Sequence, residues 1–194
     1  FKHMEAPRLS YKTTLIIAWC IRLMCKDPNV RIFYAMATAG EAKKTSDTLR
    51  WILESNEKLI ALWGEFKPKG KKGWNQSGFV IAQRTDQTLR DPTFQIGALD
   101  MERTGVHCTV LIGDDLVTPE TVKTPLGIAA VESYWKTIST YFPVAGAMIL
   151  ENGTRHSDAD LHGLFLVEPL ASLYAKVVLG CGMEPYLDEQ GMAH

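Results

Sequence analysis

Net charge is almost absent from this sequence. Its 21 Lys and Arg stand against 22 Asp and Glu, leaving −1 over 194 residues. A polyanionic partner therefore has to be met by local basic patches and not by the field of the whole molecule. Cysteine is scarce and unpatterned. The four cysteines (Cys20, Cys25, Cys108, Cys181) form no CxxC pair and no zinc-ligand spacing, which points to free thiols in a reducing compartment. No apolar run approaches the ~20 residues of a bilayer span. No secretory leader is visible, so no membrane partner is expected. Internal repeats are lacking too. What is present is enough apolar residue, 46% of the chain, to bury one full core. The sequence opens on Phe1 and enters a motif almost at once, so it reads as a piece of something longer.

Val106 to Val117 (VHCTVLIGDDLV) organises the rest. Its β-branched run reads as a strand buried on both faces, as in parallel sheets. It ends in Gly113 and two carboxylates, Asp114 and Asp115. Carboxylates at such a strand tip point into the crevice where doubly wound α/β folds bind ligands. There they suit a Mg²⁺ ligand and a base that orients water. An Asp-rich turn after a strand is the equally simple reading of this stretch alone.

Upstream, Phe1 to Glu5 reads as a strand end, followed by Ala6-Pro7-Arg8-Leu9-Ser10-Tyr11-Lys12-Thr13-Thr14 and an apolar stretch with helical spacing, LIIAWCIRLMC, which reads as a buried helix of a few turns. A loop followed by Lys-Thr at a helix start is an anion site in principle: amides and dipole face phosphate, Lys12 neutralises it and Thr13 takes Mg²⁺. Against G-x-x-x-x-G-K-[ST], Ala6 stands at the first glycine and Tyr11 at the second. A solvated helix start is the competing reading. Tyr11 also raises a conformational question, because the backbone there usually needs angles that cost a non-glycine residue ~1–2 kcal/mol.

The remaining elements alternate. Val30 to Ala37 reads as a buried strand and Thr38 to Leu53 as a helix, with a Thr38/Glu41 capping box and Glu57 to Phe66 continuing it. Lys67 to Gly73 (KPKGKKG) is a basic loop, either a phosphate-backbone contact or a plain surface loop. Phe79 to Gln83 and Thr93 to Ile96 read as short strands, joined by an exposed connection carrying Arg84, Asp86, Arg90 and Asp91. A helix within Glu120 to Phe142 is ended by Pro143, its aromatics suited to packing. Ala145 to Leu150 is a further buried strand, running into a polar loop, Glu151 to His156, that lies beside Asp114 if the two strands are neighbours. Asp158 and Asp160 suit capping of a helix from Leu161 to about Leu166, and VVLG (177–180) is a last strand. The Asn152-Gly153-Thr154 sequon is discounted for a cytosolic chain. This order implies βαβ units and a parallel sheet.

Taken together, APRLSYKTT, RIFYAMATAGEAKK, GWNQSGFVIAQR, MERTGVHCTVLIGDDLV and MILENGTRHSDADLHG resemble the ATPase domain of the large terminase subunit of tailed bacteriophages, the DNA-packaging motor. The resemblance spans essentially the whole chain. It implies an α/β, three-layer P-loop (additional-strand, RecA-like) fold with a central mostly parallel sheet. It implies a P-loop ATPase domain over 1–176, with 177–194 as last strand and start of a linker toward an absent C-terminal nuclease domain, so no DNA cleavage is expected. ATP and Mg²⁺ are the implied cofactors. The nucleotide loop is Pro7, Arg8, Leu9, Ser10, Tyr11, Lys12, Thr13 and Thr14. Thr13 and Asp114 are then the metal residues, Asp115 the carboxylate that polarises water, and Arg8 a γ-phosphate contact. Arg103 corresponds to an arginine acting on a neighbouring subunit, and Gly153, Thr154 and Arg155 to the motif coupling hydrolysis to DNA movement. Double-stranded DNA, a portal protein, a small terminase subunit and a homo-oligomeric ring are the implied partners, in host cytoplasm and transiently on the procapsid. Two other readings stay open: a helicase-like ATPase on the same fold, and a degenerate, non-hydrolysing assembly or DNA-docking module, motivated by Tyr11.

Overall fold

The computed structural model describes residues 2–5, 10–70, 73–101, 105–165 and 175–178. In chain order the elements are β1 (Lys2–Glu5), α1 (Lys12–Lys26), β2 (Ile32–Met36), α2 (Ala39–Ser55), α3 (Glu57–Trp63), β3 (Trp74–Asn75), β4 (Gly78–Phe79), β5 (Phe94–Ala98), β6 (Cys108–Asp114), α4 (Pro125–Tyr141), β7 (Pro143–Gly153), α5 (Leu161–Phe165) and β8 (Ala175–Val178).

Alternation along the central strands sorts side chains onto two faces. In β2, Ile32, Tyr34 and Met36 join one core while Phe33 and Ala35 join the other. In β6, Val110 and Ile112 take the first face and Leu111 the second. The first core is closed by Ile16, Cys20 and Met24 of α1 with Ala42, Leu49 and Leu53 of α2. The second is closed by Val131, Trp135 and Ile138 of α4 with Leu161 and Phe165 of α5. The result is a three-layer α/β fold with helices on both faces of the sheet. Each fully buried large apolar side chain, such as Phe33 or Ile96, stabilises it by ~1.5–3 kcal/mol.

The strands form one sheet in the order β3-β4-β5-β2-β6-β7-β1-β8. The run β5-β2-β6-β7-β1-β8 is parallel throughout, and only the β3–β4 hairpin, with its pairing to β5, is antiparallel. β7 therefore lies between β1 and β6, the extra-strand arrangement. Its register sets Asn152 opposite Asp114 and Gly153 opposite Glu5, so β6, β7 and β1 end together at one edge. No described helix is long and apolar enough to cross a membrane.

Local signals account for the helices. Thr38 caps α2 by accepting from Glu41 N at 3.3 Å, but the Glu41 carboxylate turns to Lys44 at 2.6 Å, so only half of the expected capping box is seen. Asn56 interrupts the expected continuous helix: it ends α2 and caps α3, accepting from Leu59 N. Thr124 caps α4 and Pro125 fills its first turn, where a missing N–H costs nothing.

Several sequence expectations are corrected. Helix α1 is buried along one stripe only, Lys12, Ile16, Cys20 and Met24, while Leu15 is exposed. The strand expected over Phe79 to Gln83 shrinks to Gly78–Phe79, because Ala82 N turns back to Phe66 O and Arg84 N to Ile81 O. Arg84, expected on an exposed connection, is buried, and its guanidinium donates to Asp91 O at 2.7 Å. Glu151, Asn152 and Gly153 belong to strand β7 and not to a loop, and all three are buried. β8 straddles the expected boundary at 176/177 and pairs with β1, so residues 177 and 178 belong to this sheet. The helix expected within Glu120 to Phe142 is α4, which runs from Pro125 to Tyr141 as the sequence suggests. Three described cysteines, Cys20, Cys25 and Cys108, are free thiols; Cys181 lies outside the described residues.

Candidate functional site

Because β6, β7 and β1 end at one edge, the start of α1 and the tip of β6 meet there. Thr13 Oγ1 donates to Asp114 Oδ2 at 2.9 Å. Lys12 Nζ donates to Thr154 Oγ1 at 2.6 Å and lies 3.9 Å from Asp115 Oδ1. Lys12, Thr13, Asp115 and Thr154 border a cleft of about 570 Å³ whose walls include Ser10, Tyr11, Thr14, Val117, Thr118, Pro119 and His156, with Asp114 buried behind Thr13. Its size falls within the ~300–1,000 Å³ common for small-molecule sites.

Asp114 is the most constrained member. It has no exposed surface. Strand alternation aims it at α1, and β7 and β2 on either side of β6 supply further donors: Asn152 Nδ2 donates to Oδ1 and the Tyr34 hydroxyl to Oδ2. Burial pushes the Asp114 carboxyl above the ordinary aspartate value, helped by the neighbouring charge of Asp115, while the hydrogen bonds from Tyr34, Asn152 and Thr13 pull it back. Burial, and then the Asp114 charge, hold the Tyr34 phenol well above its usual range, so it stays a fixed donor. Asp115 is on the rim, 42% exposed. Its backbone turns left-handed at φ 46, and its N–H donates to Asn152 O at 2.9 Å.

Tyr11, at the position of the missing second glycine, also takes a left-handed backbone, φ 56 and ψ 24. Its carbonyl accepts from Leu15 N, starting α1, and its ring is 77% exposed. The local conformation glycine ordinarily supplies is therefore kept by a tyrosine. Of the remaining residues singled out from sequence, Pro7, Arg8, Leu9 and Arg103 lie outside the described residues. Gly153 is at the tip of β7, close against His162 of α5. Arg155 is not part of the cleft wall; its guanidinium approaches Glu5 at 3.8 Å and Asp158 at 3.7 Å. Asp160 caps the turn into α5, accepting from His156 N, Ser157 N and Gly163 N. Asn152, half of the sequon, is fully buried against Asp114.

The oxygens of Thr13 and Asp114 form a hard-donor pair suited to Mg²⁺, which keeps several of its own waters. Two groups that orient Asp114, Tyr34 and Asn152, are invisible to motif reading, because only sheet order brings them there. A second buried cluster was missed for the same reason. The alternation that sends Asn152 toward α1 sends Glu151 toward α5. There Glu151 Oε2 meets His3 Nδ1 at 2.5 Å and His162 Nδ1 at 3.3 Å. Burial alone raises a carboxyl, but the charge of His162 and the hydrogen bond from His3 hold Glu151 below its usual range. Burial likewise lowers the His162 imidazole, and the Glu151 charge outweighs it, so His162 is raised.

No protein-family model and no curated protein matches this sequence. Among solved structures, the crystal structure of the N-terminal domain of the DNA packaging ATPase from bacteriophage phi29 is similar, with a TM-score of 0.52 over 86% of this chain and 79% of that chain, at 11% identity. At that identity the likeness is one of fold. The chain is a mostly parallel, three-layer α/β domain of the architecture seen in that ATPase domain, with its charged cleft at the carboxyl edge of the strands.

Proposed function

We propose that this chain binds Mg-ATP in the cleft between α1 and β6 and hydrolyses it to drive double-stranded DNA into a viral procapsid, as the ATPase part of a large terminase subunit. One observation carries the reading: Lys12 and Thr13 at the start of α1 share a single cleft with Asp115 at the tip of β6, Thr13 is bonded to Asp114 buried just behind it, and Thr154 beyond β7 closes the cleft. The fold likeness to a phage packaging ATPase domain supports the same class.

Thr13 and Asp114 would hold Mg²⁺. The ion supplies charge neutralisation on the phosphate oxygens. Amides at the α1 N-terminus and the Lys12 ammonium bind the phosphates by charge and dipole. Lys12 donates to Thr154 and lies near Asp115. A phosphate group drawing Lys12 onto itself releases Asp115 to accept a hydrogen bond from the attacking water. Thr154 then senses whether Lys12 has moved, which gives Gly153-Thr154-Arg155 a physical route from hydrolysis to motion. Arg8 as γ-phosphate contact, Arg103 as the residue reaching a neighbouring subunit, and the DNA, portal, small-subunit and ring partners in host cytoplasm complete this proposal.

DNA-stimulated phosphate release is the test. Lys12→Ala and Asp115→Asn are each expected to reduce it by ~10²-fold or more, as loss of one preorganised charged group does. Wild-type turnover in either variant overturns that residue's role. The second reading, a non-hydrolysing docking module, is favoured by the strained tyrosine at position 11. Absence of ATP binding in a titration with Mg²⁺ would select it.

A further inference from the structure

The geometry points to a second metal site, for a borderline transition cation of the Zn²⁺ type, built by His3, Glu151 and His162 on the α5 side of the sheet. This inference does not depend on the nucleotide reading. The three residues are each buried, and their ligand atoms lie within 4.8 Å of one another. They come from three elements, β1, β7 and α5, and the β1–β7 register sets His3 directly opposite Glu151. His3 is also held by ring contacts, with centroids 5.3 Å from His162 and 5.0 Å from Phe165.

An independent observation concerns unused atoms. His3 Nε2, Glu151 Oε1, His162 Nε2 and Glu5 Oε2 are buried and make no hydrogen bond. Such groups each cost ~1–3 kcal/mol when left unsatisfied, and this many in one place is not explained by packing. Glu5 Oε2 lies 3.9 Å from His3 Nε2, so a second carboxylate borders the cluster. Two imidazoles and a carboxylate are a donor set that selects zinc-like ions over Mg²⁺, with a fourth position left to Glu5 or water. A dication also balances the charge of Glu151 without requiring a buried imidazolium ion, while Arg155 already faces Glu5 at 3.8 Å. This separates the two sites by chemistry: oxygens alone at Thr13 and Asp114, nitrogen-rich at His3, Glu151 and His162.

The experiment loads the 194-residue chain with Zn²⁺, desalts it in excess Mg²⁺, and measures retained metal. Wild type and Thr13→Ala are expected to keep about one zinc per chain. Glu151→Gln and His162→Gln are expected to bind it at least ~10-fold more weakly. Co²⁺ added to the wild-type chain keeps the test independent of whether those variants fold. Visible d–d bands saturating at one equivalent, without a thiolate charge-transfer band, are expected. The inference is overturned if wild type retains no zinc, if the variants retain as much as wild type, if Thr13→Ala loses it, or if Co²⁺ gives no bands or thiolate bands.

Discussion

Tyr11 and Asp115 are the two non-glycine residues with left-handed backbone among those described, and both line the cleft. Backbone strain of this kind persists where the surroundings over-determine it, and it gathers at functional sites. At Tyr11 the strain has no packing return, because the ring is largely exposed and makes no capping bond. Glycine removes ~1–2 kcal/mol of left-handed strain but adds ~0.5–1 kcal/mol of unfolded-state freedom. Tyr11→Gly is therefore expected to stabilise the ligand-free protein by up to about 1 kcal/mol, a rise in Tm of ~2–4 °C. Denaturant and thermal melts check this, and destabilisation would show that the phenol contributes something the strain argument omits. Asp114 poses the opposite problem, a carboxylate kept where its charge is disfavoured. Its folded pKa lies above the ordinary value of 3.8, so its contribution to stability is fully present below that value and is lost as pH rises through the raised one. An asparagine there stays neutral, and the hydroxyls of Thr13 and Tyr34 can turn to accept from it. The stability of Asp114→Asn relative to wild type should therefore grow as pH rises from about 4 toward neutrality, while Mg-dependent nucleotide binding is lost. Unfolding curves at several pH values check the first half, and a relative stability that falls with pH would contradict it.

Between elements, β7 and α5 are fitted through one missing side chain. A Cβ on Gly153 would stand 2.4 Å from His162 Nε2 and 2.6 Å from its Cε1, with Asp115 Oδ1 at 3.6 Å. Gly153→Ala must therefore displace a buried ring and is expected to destabilise by ~1–3 kcal/mol, as overpacking does. If the clash is the cause, adding His162→Ala should recover part of that loss, giving a favourable coupling of at least ~0.5 kcal/mol in a double-mutant cycle. Simple additivity would remove the clash as the explanation. Gly113 makes a similar close approach on the same face of β6, with Trp135 Cζ3 at 2.6 Å from an ideal Cβ. These fits mark the limit of what sequence can reveal. Lys12-Thr13 and Asp114-Asp115 are legible because each is a chemically loaded pair bordering an apolar run, helical in spacing after the first and continuous before the second. The β3–β4 hairpin, two residues a strand, is too short to have a period. Arg84 reads as exposed because nothing local marks the Asp91 carbonyl that receives it. His3 and Glu151 are 148 positions apart and meet through strand register, and Tyr34 reaches Asp114 through sheet order. Neither fact exists at the level of spacing along the chain.

The whole molecule closes its cleft across distant parts of the chain. The start of α1 and the tip of β6 are 101 positions apart and joined by Thr13–Asp114, while Lys12 reaches Thr154 across 142. A ligand that engages both walls stabilises the fold as a unit, because it binds the folded state and not the unfolded chain. If the proposed function holds, Mg-ATP at a hundredfold excess over its dissociation constant adds ~2.7 kcal/mol, which for a chain of this size is ~5–10 °C in Tm. The variants then separate the two halves of the proposed function. Lys12→Ala removes phosphate binding and should lose both the thermal shift and hydrolysis. Asp115→Asn removes the group proposed to orient water, leaves Lys12 freer to meet phosphate, and should keep or enlarge the shift while losing turnover. Thermal melts with and without Mg-ATP, paired with phosphate release on the same samples, decide between the assignments. If Asp115→Asn loses the shift together with turnover, Asp115 belongs to binding and the division of labour between the two walls is wrong.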